Sequence, residues 1–400
     1  MLFKNATVFT GDSLLPNADV LVENGHFTAV GPNLDAPGYE VVDCQGDYLV
    51  PGLIDLQVYG GSMEFLNETP TPETVRHIWG SHARNGTTTL LPTLHSTHLA
   101  EMQQAVRAVG VVRNEMPLNV PGVHLEGPYF NPIKRGAHRA NYVRVPAEGE
   151  QEALFGANAD TIKILTLAPE MLSPEQLTLL YSLVKSAGTL LSLGHSNATY
   201  QQAMAAFGAA NIPNRFGLAT HLYNAMRGFE SREPGTVGAI LDHPTVMSSI
   251  VADGFHCAPA AIRLAHRVLG PNRLFLISDA LFANPPRADF ALETFVVHFE
   301  PGTGQPGSPL HGRYVNEQGT LAGTAITLLD CVRFCVQEVD LSLADVLRMA
   351  TVTPATVLGL ADQIGHIAPG YRANLVRLNQ GFRQKGVWVN GEAIQIQATA

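Results

Sequence analysis

The sequence is short of charge. Only 15% of its 400 residues are charged, against 46% hydrophobic, and 25 basic residues face 35 acidic ones for a net charge of −10. A disordered chain has the reverse composition, low in hydrophobicity and high in charge. The deficit of basic residues argues against a protein that works by neutralising nucleic-acid phosphates. No apolar run approaches the roughly 18 residues of a membrane span. The N-terminal MLFKNATVFTGD lacks the apolar stretch of a secretory signal. The four cysteines, at 44, 257, 331 and 335, include no CxxC pair, which argues against a structural zinc knot. Cys331 and Cys335 fall in an apolar, helix-like run and read as small core hydrophobes. The expectation from these absences is a reduced, cytoplasmic, globular protein with neither a membrane nor a nucleic-acid partner. Histidine, by contrast, is plentiful, with 15 copies.

The chain changes rhythm twice. Leu2 to Thr10, Asp19 to Glu23 and Phe27 to Val30 are short β-like runs between Gly, Pro and Asn turns. Ala373 to Leu378 and Gly386 to Val389 look similar, with Asn390-Gly391 as a hairpin signal. Two β-rich ends predict one small β domain built from residues 1–50 and 361–400. Between them, over 51–360, apolar runs alternate with helix-like stretches. The runs are Leu53–Tyr59, Thr87–Thr93, Val120–Leu125, Thr161–Leu167, Leu190–Gly194, Gly217–Thr220, Val246–Ala252 and Leu274–Ser278. Runs apolar on both faces fit buried parallel strands. One helix is clearly punctuated, with Ser173 as N-cap, Pro174 in the first turn and Gly188 as the stop. Eight such units predict an α/β fold, a (β/α)8 TIM barrel. A doubly wound open sheet is the rival, but no GxGxxG follows a first strand. The Gly/Pro-rich stretch Pro301–Gly312 reads as a surface loop.

In a barrel, chemistry collects where strands end. Glu126, His195, His221 and Asp279 fall at four such ends. A carboxylate and two imidazoles form a three-ligand set for a divalent ion with one position left for water. Such an ion lowers the pKa of its water towards about 7. Asp279 is then placed to take the proton.

The motifs around these residues are HLEGPYFN (124–131), GHSNA (194–198), THLYNAM (220–226), REPG (232–235), ADGFH (252–256), SDA (278–280) and LAGT (321–324). Together they resemble the N-acetylglucosamine-6-phosphate deacetylase family of the amidohydrolase superfamily. The likeness runs from PGLID (51–55) to GHIAPGYRANLV (365–376). It implies hydrolysis of the acetamide of N-acetyl-D-glucosamine 6-phosphate, a small β-sandwich domain formed by the two terminal segments, one divalent metal per subunit, and a homodimer. Zn²⁺ is the expected metal, and Fe²⁺ also suits the donors. The resemblance makes Glu126, His195 and His221 the ligands, Asp279 the acid–base residue, and His138 the group that polarises the acetyl carbonyl. It assigns phosphate and sugar contacts to Asn224, Ala225, His256 and Arg232, the arginine reaching the neighbouring subunit's site.

Blander readings stand beside these. His138 also fits a solvated basic loop, with Lys134, Arg135 and Arg139 around it. His256 also fits a helix cap, and Arg232 a surface ion pair. His124, two residues before Glu126, reads as a supporting residue, and the remaining ten histidines, His95 among them, as surface or core. Many amidohydrolases carry HxH after the first strand to hold a second metal. Here Gln57 and Tyr59 stand there, which implies a single metal and makes both residues candidate substrate contacts. The usual ADLV near the C-terminus reads Ala373-Asn374-Leu375-Val376, taken as structural. The alternatives are an N-acetylgalactosamine-6-phosphate deacetylase, a cyclic-amide hydrolase (disfavoured by the absent HxH), and a non-catalytic scaffold (disfavoured by the intact ligand set).

Overall fold

The computed structural model describes residues 1–208, 216–282, 287–293, 295–304 and 310–395. Eight parallel strands follow one another in space in sequence order. They are β1 (Leu53–Val58), β2 (Thr87–Leu94), β3 (Val123–Glu126), β4 (Ile162–Leu167), β5 (Leu190–Leu193), β6 (Phe216–Ala219), β7 (Met247–Val251) and β8 (Leu274–Ile277). Every strand has its counterpart in the apolar runs. The third begins later than its run does, at Val123 rather than Val120, because Pro121 has no N–H to give a ladder. The barrel closes between β8 and β1. Asp279 N donates to Gln57 O (3.1 Å) and Tyr59 N to Ala280 O (3.0 Å). The buried Asp55 carboxylate adds a clasp, accepting from Ser278 N at 3.2 Å.

The helices cover the barrel as their sequence punctuation requires. In the helix Pro174–Ala187, Ser173 Oγ accepts from Gln176 N (3.2 Å) and Gln176 Oε1 accepts from Ser173 N (3.0 Å), a reciprocal cap. Gly188 ends it at φ +73°, a left-handed turn that costs glycine little. Leu180 and Val184 bury the inner face. The same core cluster takes in the barrel strands and the helix carrying Cys331 and Cys335. All four cysteines are free and buried, Cys331 and Cys335 as expected of small core hydrophobes. Among the described residues, no helix is long and apolar enough to cross a membrane.

Both ends of the chain share one further sheet. It joins Leu2–Phe9, Leu14–Glu23, His26–Gly31, Val41–Asp43 and Tyr48–Pro51 to Leu375–Leu378, Gln384–Val389 and Glu392–Ala393. Asn390 and Gly391, both at positive φ (53° and 79°), turn the last hairpin, as a type I′ turn demands. Phe3, Val20, Phe27 and Trp388 fill a core beneath this sheet, separate from that of the barrel. Residues 396–400 of the expected C-terminal segment lie outside the described residues.

One element was not foreseen. After β8 the chain forms a four-stranded antiparallel sheet, Asp289–Ala291, Val296–Pro301, Gly312–Val315 and Leu321–Thr324. The stretch read as a surface loop joins two of these strands, which pair at Pro301 and Gly312; residues 305–309 lie outside the described residues. Phe65, Phe282, Phe290, Phe295 and Tyr314 pack this sheet against the barrel mouth.

Candidate functional site

The four strand-end residues meet at the C-terminal mouth of the barrel. Glu126 closes β3, His195 follows β5, His221 follows β6 and Asp279 follows β8. Three of them leave ordinary backbone geometry to do so. His195, His221 and Asp279 have φ of +49°, +38° and +55°. Such left-handed conformations persist in non-glycine residues where the surroundings over-determine them, often at functional sites.

Three ligand atoms converge. Glu126 Oε1 lies 3.0 Å from His221 Nε2 and 3.3 Å from His195 Nε2, and the two nitrogens are 3.2 Å apart. A tetrahedral ion with bonds of about 2.0–2.1 Å separates its ligands by roughly 3.3 Å, so the spacing suits a divalent ion. His195 Nδ1 lies 3.0 Å from Lys134 O. That carbonyl can only accept, so Nδ1 carries the proton and the Nε2 lone pair points to the centre. Gly136, at φ +59°, lets the same loop pass close over the ring: a Cβ there would sit 3.2 Å from His195 Cε1.

Electrostatics follow from burial. All four residues are at most 6% exposed. Burial alone would push the Glu126 carboxyl up, but the neighbouring imidazoles of His138, His195 and His221 hold it well below the usual range. Burial raises Asp279, with His256 and His221 pulling back. A carboxylate held above its ordinary pKa in a metal-site pocket is suited to accept and return a proton.

His138 comes from the loop after β3 and is buried, not solvated. Its Nδ1 lies 2.7 Å from Ser96 Oγ and its Nε2 3.3 Å from Glu126 Oε2. Burial pushes its pKa down to about 4, so it is a neutral imidazole, able to donate without carrying charge. His256 does more than cap a helix. Its Nδ1 lies 2.7 Å from Asp253 Oδ2, and its Nε2 points towards Asp279 Oδ2 at 3.6 Å. Burial works against its charge, yet Asp253 raises its pKa on balance.

Gln57 and Tyr59 lie behind the ligands. Gln57 Nε2 donates among Asp279 Oδ1 (2.8 Å), Glu126 Oε1 (3.0 Å) and the Tyr59 hydroxyl oxygen (2.8 Å). Tyr59 donates its hydroxyl to Glu126 Oε2 at 2.5 Å. His124, as expected of a supporting residue, is buried, bonded to Leu56 O and Thr166 Oγ1 rather than to the site.

A cavity of about 470 Å³ opens over these groups. Tyr59, Glu126, His138, His195, His221, Asn224, Ala225, His256 and Asp279 line it, with Lys134 and Arg135 on one wall and Thr320–Gly323 of the added sheet on another. Asn224 is turned partly on its own loop, donating to His221 O (3.3 Å) and Leu222 O (3.2 Å). Arg232 is exposed and does not line this cavity. His95 was missed. It follows β2, lines the cavity, and stacks on His138 with centroids 3.5 Å apart. The rule of strand ends applied to β2 points to it directly.

The profile of the Amidohydrolase family matches residues 48–394. The chain is 32% identical over 403 residues to the N-acetylgalactosamine-6-phosphate deacetylase of Shewanella sp. (strain ANA-3), covering 98% of this chain and 96% of that one. It superposes with a TM-score of 0.89, at 32% identity, on the N-acetylglucosamine-6-phosphate deacetylase of Pasteurella multocida, over 98% of this chain and 99% of that one. An Asp-to-Ala variant of the N-acetyl-D-glucosamine-6-phosphate deacetylase of Mycobacterium smegmatis, solved with N-acetyl-D-glucosamine 6-phosphate, superposes at TM-score 0.85 and 29% identity, over 98% of each chain.

Proposed function

The chain belongs to the amidohydrolase family, and we propose that it hydrolyses the acetamide of N-acetyl-D-glucosamine 6-phosphate to D-glucosamine 6-phosphate and acetate in amino-sugar catabolism. One observation carries this reading. Glu126 Oε1, His195 Nε2 and His221 Nε2 lie 3.0–3.3 Å apart beside Asp279, in a cavity of about 470 Å³.

Glu126, His195 and His221 would hold one divalent ion per subunit, Zn²⁺ in this reading. When bound, such an ion supplies Lewis acidity and makes water acidic near neutral pH. Asp279 takes the proton of the attacking water and returns it to the leaving amine nitrogen. Neutral His138 donates towards the acetyl oxygen as negative charge builds there. His256, beside Asp253, and the backbone around Asn224 and Ala225 orient the sugar phosphate. Arg232 contributes from the other subunit of a homodimer, which explains its exposure within one chain. Gln57 and Tyr59 shape the floor. Residues 51–360 form the catalytic barrel, with 1–50 and 361–400 as the small β domain, and the enzyme works in the cytoplasm.

The galacto epimer is the second reading, favoured by the Shewanella relative, as similar in sequence as the Pasteurella protein. The deciding experiment measures acetate release from both hexosamine 6-phosphates, their unphosphorylated forms and an N-acetyl amino acid, with bound metal quantified in parallel. Turnover of the gluco phosphate above all others supports the first reading. Preference for the galacto epimer selects the second. Turnover of neither, with one metal bound, refutes both.

A further inference from the structure

His95 lines the cavity beside Tyr59 and is only 3% exposed. Its ring lies against His138, with Phe295 behind it (centroids 3.5 and 4.2 Å away). Its backbone is pinned by one side chain, N donating to Asn67 Oδ1 and O accepting from Asn67 Nδ2, each at 2.9 Å. The ring is therefore held in place. Yet among the described residues the hydrogen bonds of His95 run through its backbone alone. Nδ1 is enclosed and has no partner, which leaves Nε2, at the tip of the ring, to meet a ligand. A buried polar side chain without a partner is uncommon, and in a cavity it marks where a polar group of the ligand fits.

In the function proposed above, the loops after β6 and β7 orient the sugar phosphate and His138 donates to the carbonyl. The rest of the acyl group lies across the C–N bond from the sugar, towards the wall that follows β1 and β2. Tyr59 and His95 stand on that wall. The Tyr59 hydroxyl is already given to Glu126 Oε2, so His95 is the one of the two with a free nitrogen. We propose that His95 reads the acyl group, and that the site also hydrolyses hydroxyacyl amides of its sugar phosphate, taking the N-hydroxyacetyl (glycolyl) amide in preference to the equally large N-propionyl amide. This rests on the deacetylase function proposed above. Burial keeps the imidazole neutral, with one N–H and one lone pair, and a hydroxyl can answer either. An acetyl methyl leaves Nε2 unpaired, whereas a hydroxyl on that carbon pairs with it. Hydrolysis proceeds as for the acetamide. The water oxygen bonds to the acyl carbon and the C–N bond breaks. One water proton passes through Asp279 to the amine nitrogen, and the other stays with the acid. Glycolic acid then leaves in place of acetic acid.

The test measures kcat/KM on the N-acetyl, N-glycolyl and N-propionyl amides of the hexosamine 6-phosphate that the enzyme deacetylates. Glycolyl and propionyl groups have the same number of heavy atoms, so the ratio of the two cancels size and any general loss of activity. Wild type should favour the glycolyl amide about twofold to tenfold, the worth of one hydrogen bond. His95→Phe keeps a stacked ring but has no nitrogen, and its ratio should fall to one or below. A ratio at or below one in wild type would overturn the proposal. So would a glycolyl preference that survives in His95→Phe, because another group would then be reading the hydroxyl. If His95→Phe does not fold by circular dichroism, His95→Ala takes its place with the same two outcomes. No turnover of the acetamide of either hexosamine 6-phosphate would instead refute the deacetylase function itself.

Discussion

His95 and His138 lie face to face, ring centroids 3.5 Å apart and planes 9° from parallel. Phe295 backs His95 at 4.2 Å, and Phe130 meets His138 edge-on at 4.8 Å. The His138 imidazole is therefore clamped by aromatic contacts as well as by Ser96. Aromatic pairs contribute about 0.5–1.5 kcal/mol beyond their burial. His95→Ala should lower kcat about twofold to tenfold with metal content unchanged. His95→Phe keeps an aromatic face and should recover most of the loss. Equal losses in the two variants would show that stacking is not what His95 supplies.

Asp279→Asn should bind metal normally and lose at least about a hundredfold in turnover, the usual scale of acid–base catalysis. Steady-state kinetics and metal analysis on one preparation check this. A kcat near that of wild type excludes Asp279 as the proton carrier.

Arg232→Ala should raise KM for the 6-phosphate and leave weak turnover of the unphosphorylated sugar unchanged. The comparison of the two substrates is the measurement. A parallel change in both would mean that Arg232 does not meet the phosphate.

Asp55 gives a prediction about pH. Burial pushes its carboxyl up to about 7, against the hydrogen bonds from Ser278 and Gln57. Unfolded, an aspartate ionises near about 3.9. Between those values the folded chain keeps a proton that the unfolded chain has released, so this group's contribution to stability falls as pH rises. Asp55→Asn keeps an acceptor and cannot ionise. Its Tm relative to wild type should rise between about pH 4 and pH 7. A difference independent of pH would show that Asp55 does not titrate in this window.

Much of this architecture is legible before any coordinates. The barrel strands are apolar on both faces and stand out as runs. The helix from Pro174 carries its own start and stop in Ser173 and Gly188. Glu126, His195, His221 and Asp279 fall where those runs end, which makes their convergence derivable. Other features were hidden for physical reasons. The sheet from Asp289 to Thr324 has strands of three to six residues, too short for a period-two pattern to emerge. His95 ends its strand and so could be found by position, but its stacking on His138, forty-three residues away in sequence, could not. The Tyr59 hydroxyl matters through its distance to Glu126, and no spacing in the sequence reports that distance.

The left-handed backbone at His195, His221 and Asp279 has a consequence for how this molecule tolerates change. Each such residue costs about 1–3 kcal/mol, and glycine would bear the conformation more easily. The mouth of the barrel is thus a place where the fold gains from losing its chemistry. Compared as metal-free proteins, Asp279→Asn removes a carboxylate whose charge burial disfavours and should melt above wild type while turning over almost nothing. Selection for heat resistance alone would remove these three side chains early, leaving a sturdier barrel that no longer catalyses anything.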